Sequence, residues 1–218
     1  GTNAGTAIYN VTVPDAAYRV GFIPGPFSPW REMKSYRNWI YLVTEGATTG
    51  RGIQIVRMAN PEAPVLAATW TGSFVRSHTV SVDTARAVLI LNGTRDLTGV
   101  ATGMRMLSLA SPESPVEIGH WPVLPVGMAV PDSQYVHDCV PIGDRLYASS
   151  IYPGIHRVFD FTDPANPAQL KQWTYPGAFT HNSWPDATGN WVYVTDERYG
   201  EPLKVFDITN LDAPVLEN

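Results

Sequence analysis

The eleven residues Val205-Phe-Asp-Ile-Thr-Asn-Leu-Asp-Ala-Pro-Val215 read as a short strand, a proline-bearing turn, and the start of another strand. The same phrase occurs elsewhere in the chain. Its turns are Asn60-Pro-Glu-Ala-Pro64, Ser111-Pro-Glu-Ser-Pro115 and Asp163-Pro-Ala-Asn-Pro167, with a degenerate copy at Val13-Pro-Asp-Ala-Ala17. They recur about every 50 residues, a spacing that signals repeated supersecondary units. Each turn follows an apolar segment: Gly52-Ile-Gln-Ile-Val56, Gly103-Met-Arg-Met-Leu107, Ile155-His-Arg-Val-Phe159 or Leu203-Lys-Val-Phe206. At a fixed offset beyond the turn stand Ile23, Trp70, Trp121 and Trp173. Their repetition with the unit points to packing between units.

Two further strands precede these in each unit. The more apolar ones are Trp39–Val43, Ala87–Leu91, Arg145–Ser149 and Trp191–Thr195, and near-continuous apolar runs suit a strand covered on both faces. Before them run more polar segments at Arg31–Tyr36, His78–Val82, Tyr135–Val140 and His181–Trp184. Four short antiparallel strands per unit, joined by tight turns, define an all-β propeller blade. The expected architecture is one propeller domain over 1–218, with blades near 30–70, 78–121, 135–173 and 181–218 and a half-blade at 5–25. That half-blade lacks two inner strands, so the chain is expected to be part of a longer one, or to self-associate through the incomplete blade.

Composition agrees. Among 218 residues, 44% are hydrophobic, 16% are charged, and Gly 18 with Pro 19 make the chain rich in turns. A net charge of −5 with no dense basic run argues against a nucleic-acid partner, because phosphate binding needs clustered cations. No transmembrane segment is expected, since no apolar run approaches the ~20 residues a membrane helix needs. The lone Cys139 excludes an internal disulfide and reads as a small buried hydrophobe. Gly1 in place of Met is expected of a processed product or a fragment. Asn10 and Asn92 each head an Asn-x-Thr acceptor pattern.

Several phrases together resemble a known family. Trp30-Arg-Glu-Met-Lys-Ser35, Tyr135-Val-His-Asp138, Phe179-Thr-His-Asn-Ser-Trp184 and Val194-Thr-Asp-Glu197, with the Val205–Val215 phrase, are similar to LVIVD-repeat β-propellers, including the choice-of-anchor B proteins. The resemblance covers nearly the whole chain. It implies an extracellular or cell-surface protein, with a surface ligand of protein or glycan type, and says more of fold and location than of reaction.

Chemistry-bearing residues gather at the starts of the inner strands: Glu32, His78, His137 with Asp138, and His181 with Asn182. Innermost strands line the channel of a propeller, so matching positions converge on its axis. Three imidazoles plus carboxylates are a donor set for a divalent metal, with His78, His137, His181 and Asp138 as candidate ligands. The equally open structural reading is that such residues bond the backbone of adjacent blades. Adjacent strand residues point to opposite faces, so His137 and Asp138 reach the axis together only through a bulge or a pre-strand loop. A second set, Glu45, Asn92, Tyr152, Asp196 and Glu197, closes the following strands and is expected on the same rim. Glu32 and Glu197 are the candidate catalytic carboxylates. Glu45, Asn92, Tyr152, Asp196 and the aromatic Trp184 are the candidate binding residues. His120 and His156, on outer strands, are expected at the surface, and Asp160 and Asp207 are expected to cap turns.

No Gly-x-Ser-x-Gly elbow, phosphate-cradling Gly-rich loop or His-Glu-x-x-His occurs. The residues therefore leave three functions open. The first is a surface-displayed scaffold that binds through a His- and acid-rich channel mouth. The second is a metal-dependent enzyme, hydrolytic or oxidative, and the third is a structural surface-layer or filament subunit.

Overall fold

The computed structural model describes residues 1–46, 48, 51–125 and 128–217. Eighteen strands form one two-stranded and four four-stranded antiparallel sheets. The hairpin is β1 (Gly5–Asn10) with β2 (Tyr18–Pro24). Blade 1 holds β3 (Arg31–Tyr36), β4 (Trp39–Thr44), β5 (Ile53–Arg57) and β6 (Val65–Trp70). Blade 2 holds β7 (Thr79–Asp83), β8 (Val88–Arg95), β9 (Ala101–Ser108) and β10 (Val116–Trp121). In blade 3 they are β11 (Asp138–Ile142), β12 (Arg145–Ser150), β13 (Ile155–Asp160) and β14 (Ala168–Trp173). Blade 4 consists of β15 (Thr180–Pro185), β16 (Trp191–Asp196), β17 (Lys204–Asp207) and β18 (Val215–Leu216). Strands pair in chain order within every blade, and helix among the described residues is confined to two three-residue 3-10 turns. This is a β-propeller architecture, as the repeat predicts.

The proline turns are alike in their bonding. Ala63, Ser114, Asn166 and Ala213 each donate a backbone N–H to the carbonyl three residues back, at 2.9–3.1 Å. Asx bonds support them: Asn60 Oδ1 accepts from Glu62 N–H, and Asn210 Oδ1 from Asp212 N–H, both at 3.1 Å. Asp160 and Asp207 likewise accept from the backbones of Thr162 and Thr209, at 2.9 and 2.8 Å.

The second strand of each blade explains why its sequence is apolar without alternation. On β8, Leu89 and Leu91 face blade 1, where they pack with Tyr41, Val43, Ile53 and Ile55. Val88 and Ile90 face the other way, against Leu146, Ala148 and Phe159 of blade 3. On β16, Val192 and Val194 meet Val140, Tyr147 and Val158. The β1–β2 hairpin covers the far face of blade 1 through Ile8 and Ile23 against Leu42 and Val56. The repeated tryptophans join these layers: Trp70 lies 5.2 Å from Phe74, Trp121 stands edge-on to Phe159 at 5.0 Å, and Trp173 meets Phe206 at 5.6 Å, centroid to centroid.

One expectation fails in the outer strands. His156 is 0% exposed, with its ring 4.6 Å from Trp173 and no hydrogen-bond partner at either nitrogen. The third strand of a blade is sandwiched between neighbours, so a polar residue there is interior; only the fourth strand faces solvent on this edge. Burial pushes the His156 imidazole down to about 3, so it is neutral at pH 7. His120, on the fourth strand, is partly exposed and stands 3.7 Å from Glu117.

Candidate functional site

Innermost strands have one edge with no strand partner, and its backbone groups must bond elsewhere. Here side chains of the preceding or following blade supply the bonds. Glu32 Oε2 accepts from Val80 N–H at 2.7 Å, joining β3 to β7. Thr79 Oγ1 donates to the His137 carbonyl at 2.6 Å, and Ser81 Oγ to the Cys139 carbonyl, joining β7 to β11. His137 Nδ1 donates to the His181 carbonyl at 3.0 Å, joining β11 to β15. Asn182 Nδ2 bonds Asp138 Oδ2 across the same pair.

Strand register defines which residues match. Glu32 pairs Val43, Thr79 pairs Asn92, Asp138 pairs Ser149 and Asn182 pairs Thr195. One residue earlier in each blade stand Arg31, His78, His137 and His181. The blade-1 member of the histidine row is therefore Arg31, and Glu32 matches Thr79, Asp138 and Asn182. His78 and His137 precede their strands, anchored by N–H bonds to Asn92 O (3.0 Å) and Ser149 O (2.8 Å). His181 sits where the β15–β16 register slips, between Thr180 and Asn182. A bulge re-aims the bulged side chain. These two devices turn imidazoles toward the mouth while their neighbours Asp138 and Asn182 face the channel.

The imidazoles form a contiguous row. Ring centroids lie 4.4 Å apart for His78–His137 and 4.3 Å for His137–His181. Carboxylates flank both ends: Glu45 Oε1 is 2.8 Å from His78 Nδ1, and Glu197 Oε2 is 4.0 Å from His181 Nε2. Gly93 makes room for the first of them. Its φ is +59°, and a Cβ there would lie 2.9 Å from the His78 Cβ and closer still to the Tyr135 hydroxyl.

Hydrogen bonding dictates the tautomers. A carbonyl only accepts, so His137 carries its proton on Nδ1 and its Nε2 is bare. Burial, reinforced by the His78 and His181 imidazoles, pushes His137 down to about 4 and keeps it neutral at pH 7. The bond from His78 holds the Glu45 carboxyl below the usual carboxylate range, so His78 Nδ1 is the donor. That leaves His78 Nε2 facing His137 Nε2 at 2.8 Å. Two lone pairs at that distance require an electrophile, either a proton on His78 or a metal ion. His137, His181 and Glu197 present donor atoms all within 4.8 Å of one another, an arrangement unique among the described residues.

Other sequence-derived candidates fall elsewhere. Glu32 and Asp138 line a channel cavity of about 660 Å³ that also touches Ser81, Asn182 and Trp184. Both oxygens of Glu32 are engaged, one by Val80 N–H and one by Lys34 Nζ at 2.7 Å. Burial and the nearby Glu32 raise the Asp138 carboxyl above its ordinary range. Asn92 is fully buried and bonds Thr79 Oγ1 at 3.0 Å, which also closes its acceptor pattern to glycosylation in the folded chain. Asp196 is enclosed; it accepts from Tyr175 Oη (2.9 Å) and Phe179 N–H (2.6 Å), and Lys204 Nζ stands 3.5 Å away. Trp184 is exposed. Cys139 is buried in the layer between blades 2 and 3, and burial drives its thiol far above the ordinary range.

Tyr152, by contrast, joins residues that sequence reasoning passed over. A second cavity of about 350 Å³ at the rim is lined by Phe27, Trp30, Glu45, Arg76, Arg95 and Tyr152. The signal was present: Arg76 lies two residues before His78 and Arg95 three after Asn92, so both fall on the rim by register.

No family model matches the chain, and no curated protein does. Solved structures do. The chain is similar to the periplasmic gluconolactonase of Pseudomonas aeruginosa, with a TM-score of 0.67 at 10% identity over 93% of this chain and 60% of that one. A protein of Lactobacillus plantarum aligns with a TM-score of 0.66 at 14% identity, covering 94% and 59%. A candidate 6-phosphogluconolactonase of Bacteroides fragilis aligns at 0.64 and 11% identity, covering 93% and 59%. These likenesses concern the propeller fold. The chain spans about three fifths of the length of each structure it matches.

Proposed function

We propose that the channel mouth is a metal centre and that the protein is a metal-dependent hydrolase of esters or lactones. The observation that carries the metal is the pair of Nε2 atoms facing each other at 2.8 Å, each on a ring whose Nδ1–H is committed to a fixed acceptor. A carboxylate or carbonyl on the far nitrogen is what orients a metal-ligating imidazole. His137 and His181 would hold the ion, with His78 Nε2 beside His137 Nε2 as a further donor. An ion bound there supplies Lewis-acid activation of a carbonyl and of water. Glu197 is 57% exposed and 4.0 Å from His181, and it is suited to take the proton of the attacking water at Oε2. Glu32, bonded at both oxygens, is the poorer base. The hydrolytic class is supported by the lactonase neighbours, and by them only at the level of fold.

A binding scaffold remains the second reading. It is favoured by Glu32, Thr79, Ser81 and His137, all of which spend bonds on adjacent blades. The same proposal treats 1–218 as one propeller domain within a longer chain, displayed outside the cell. The first part is supported by the three-fifths coverage of its neighbours, and the second by the LVIVD-like phrases. Elemental analysis after loading with zinc, manganese or iron separates the two readings. The hydrolase predicts about one bound equivalent, lost in His137→Ala and His181→Ala, together with lactone-opening activity removed by chelation. Folded protein that takes up none of the three metals overturns it.

A further inference from the structure

We propose that the rim cavity at Arg76 and Arg95 is an anion-recognition subsite. It takes the carboxylate or phosphate group of a ligand that also presents a ring or another flat apolar part. The two arginines form an isolated antiparallel bridge. Arg95 N–H donates to the Arg76 carbonyl at 3.0 Å, and Arg76 N–H to the Arg95 carbonyl at 3.3 Å. Like charges directly opposite across such a bridge destabilise it unless something offsets them. Nothing among the described residues does so fully. Among the described residues neither guanidinium has an ion-pair partner within 4.0 Å. Arg76 Nε is buried with no hydrogen-bond partner. Arg95 spends only Nη1, on the Gly99 carbonyl at 3.0 Å.

Glu45 is the one carboxylate lining the cavity, and it is committed to His78. Two cations therefore face one anion already in use, around a cavity of about 350 Å³. Paired guanidiniums offer planar forks that match the oxygens of carboxylate or phosphate. The cavity also carries three exposed rings: Phe27 at 72%, Trp30 at 54% and Tyr152 at 54%. Exposed aromatic faces beside a cationic fork suit a ligand with a flat apolar side next to its charge. A purely structural role for the arginines would require partners for the guanidinium nitrogens, and among the described residues they make one bond between them.

Glu45 connects this cavity to the histidine row. An anion seated on the arginines would thus lie beside the proposed metal centre. If that reading of the row holds, the subsite selects acidic esters or lactones as substrates. The subsite itself does not depend on it.

The test is calorimetric titration of chelator-treated protein with phenyl phosphate, benzoate and the neutral isostere benzamide. At least one anion is expected to bind stoichiometrically while benzamide does not. Arg76→Gln and Arg95→Gln are expected to weaken anion binding at least tenfold, Arg95→Lys less, and the metal content of Arg95→Gln is expected to match the parent. Binding of phenyl phosphate alone assigns phosphate as the recognised group, and binding of benzoate alone assigns carboxylate. Binding of neither anion, equal binding of benzamide, or undiminished binding in both glutamine variants overturns the subsite. Should a variant fail to fold, benzoate against benzamide on the parent protein still decides. Anion binding by a protein that takes up no metal sinks the hydrolase reading and leaves the subsite standing; metal uptake without anion binding does the reverse.

Discussion

His137 at the channel mouth and His156 between the blades are both buried imidazoles, held in surroundings built on opposite rules. His137 has an acceptor at Nδ1 and the His78 Nε2 beside its own Nε2, whereas His156 has no partner at either nitrogen. Inner strands expose an unpaired backbone edge, so a polar side chain there meets carbonyls and N–H groups that need it. The layer between blades is made of strands already paired on both sides, and an imidazole there meets only apolar neighbours. Polarity near the axis therefore links blades, while the His156 imidazole in the layer finds nothing to bond and costs stability, unlike its neighbour Arg157, which reaches Ser150, Gln169 and the Ser133 carbonyl.

The largest effect expected of this contrast is in the layer. Phe159 is fully buried against Trp121 and the blade 2 face, and Phe159→Ala should cost about 3–5 kcal/mol in urea unfolding. A cost below 1 kcal/mol would mean that the blades are not held by these layers.

The next effect is a pH dependence. The unfolded chain protonates His156 near its ordinary value of 6.5, but the folded chain does so only near 3. Its contribution is complete above about 6.5 and is lost as pH falls toward 3, reaching about 2 kcal/mol at pH 5. His156→Leu should flatten that part of the stability-against-pH curve, and an unchanged curve would show that His156 is not the buried neutral group described.

The smallest effect is at the axis. Thr79→Val removes the bond to the His137 carbonyl and leaves Asn92 without its acceptor, so about 1 kcal/mol should be lost. A change as large as that of Phe159→Ala would erase the distinction between the two regions.

The propeller was legible in the sequence because its two strongest signals are local. Proline turns and apolar second strands need no knowledge of the rest of the chain. The histidine row was legible for the same reason of periodicity, and Glu32 stands in register with Asp138 and Asn182, one residue after the row. Periodicity does not reveal what a side chain bonds, and the structure makes Glu32 a blade-to-blade link to Val80. His156 was misread because an outer position within a blade was taken for an exposed one, whereas burial in a stack is decided by the adjacent blade. The rim position of Arg76 and Arg95 could be counted from His78 and Asn92, but their direct pairing could not: Arg95 lies in a stretch of β8 where the register to β9 shifts twice, and irregular strand ends carry no period.

The proton on His137 is held by a carbonyl of the following blade, and the one on His78 by a carboxylate of the preceding blade. No single repeat owns the centre. A small rocking of one sheet against the next would stretch or slacken these tethers before it opened any apolar layer. The row of imidazoles is thus positioned by the contact between neighbouring blades and not by any one of them.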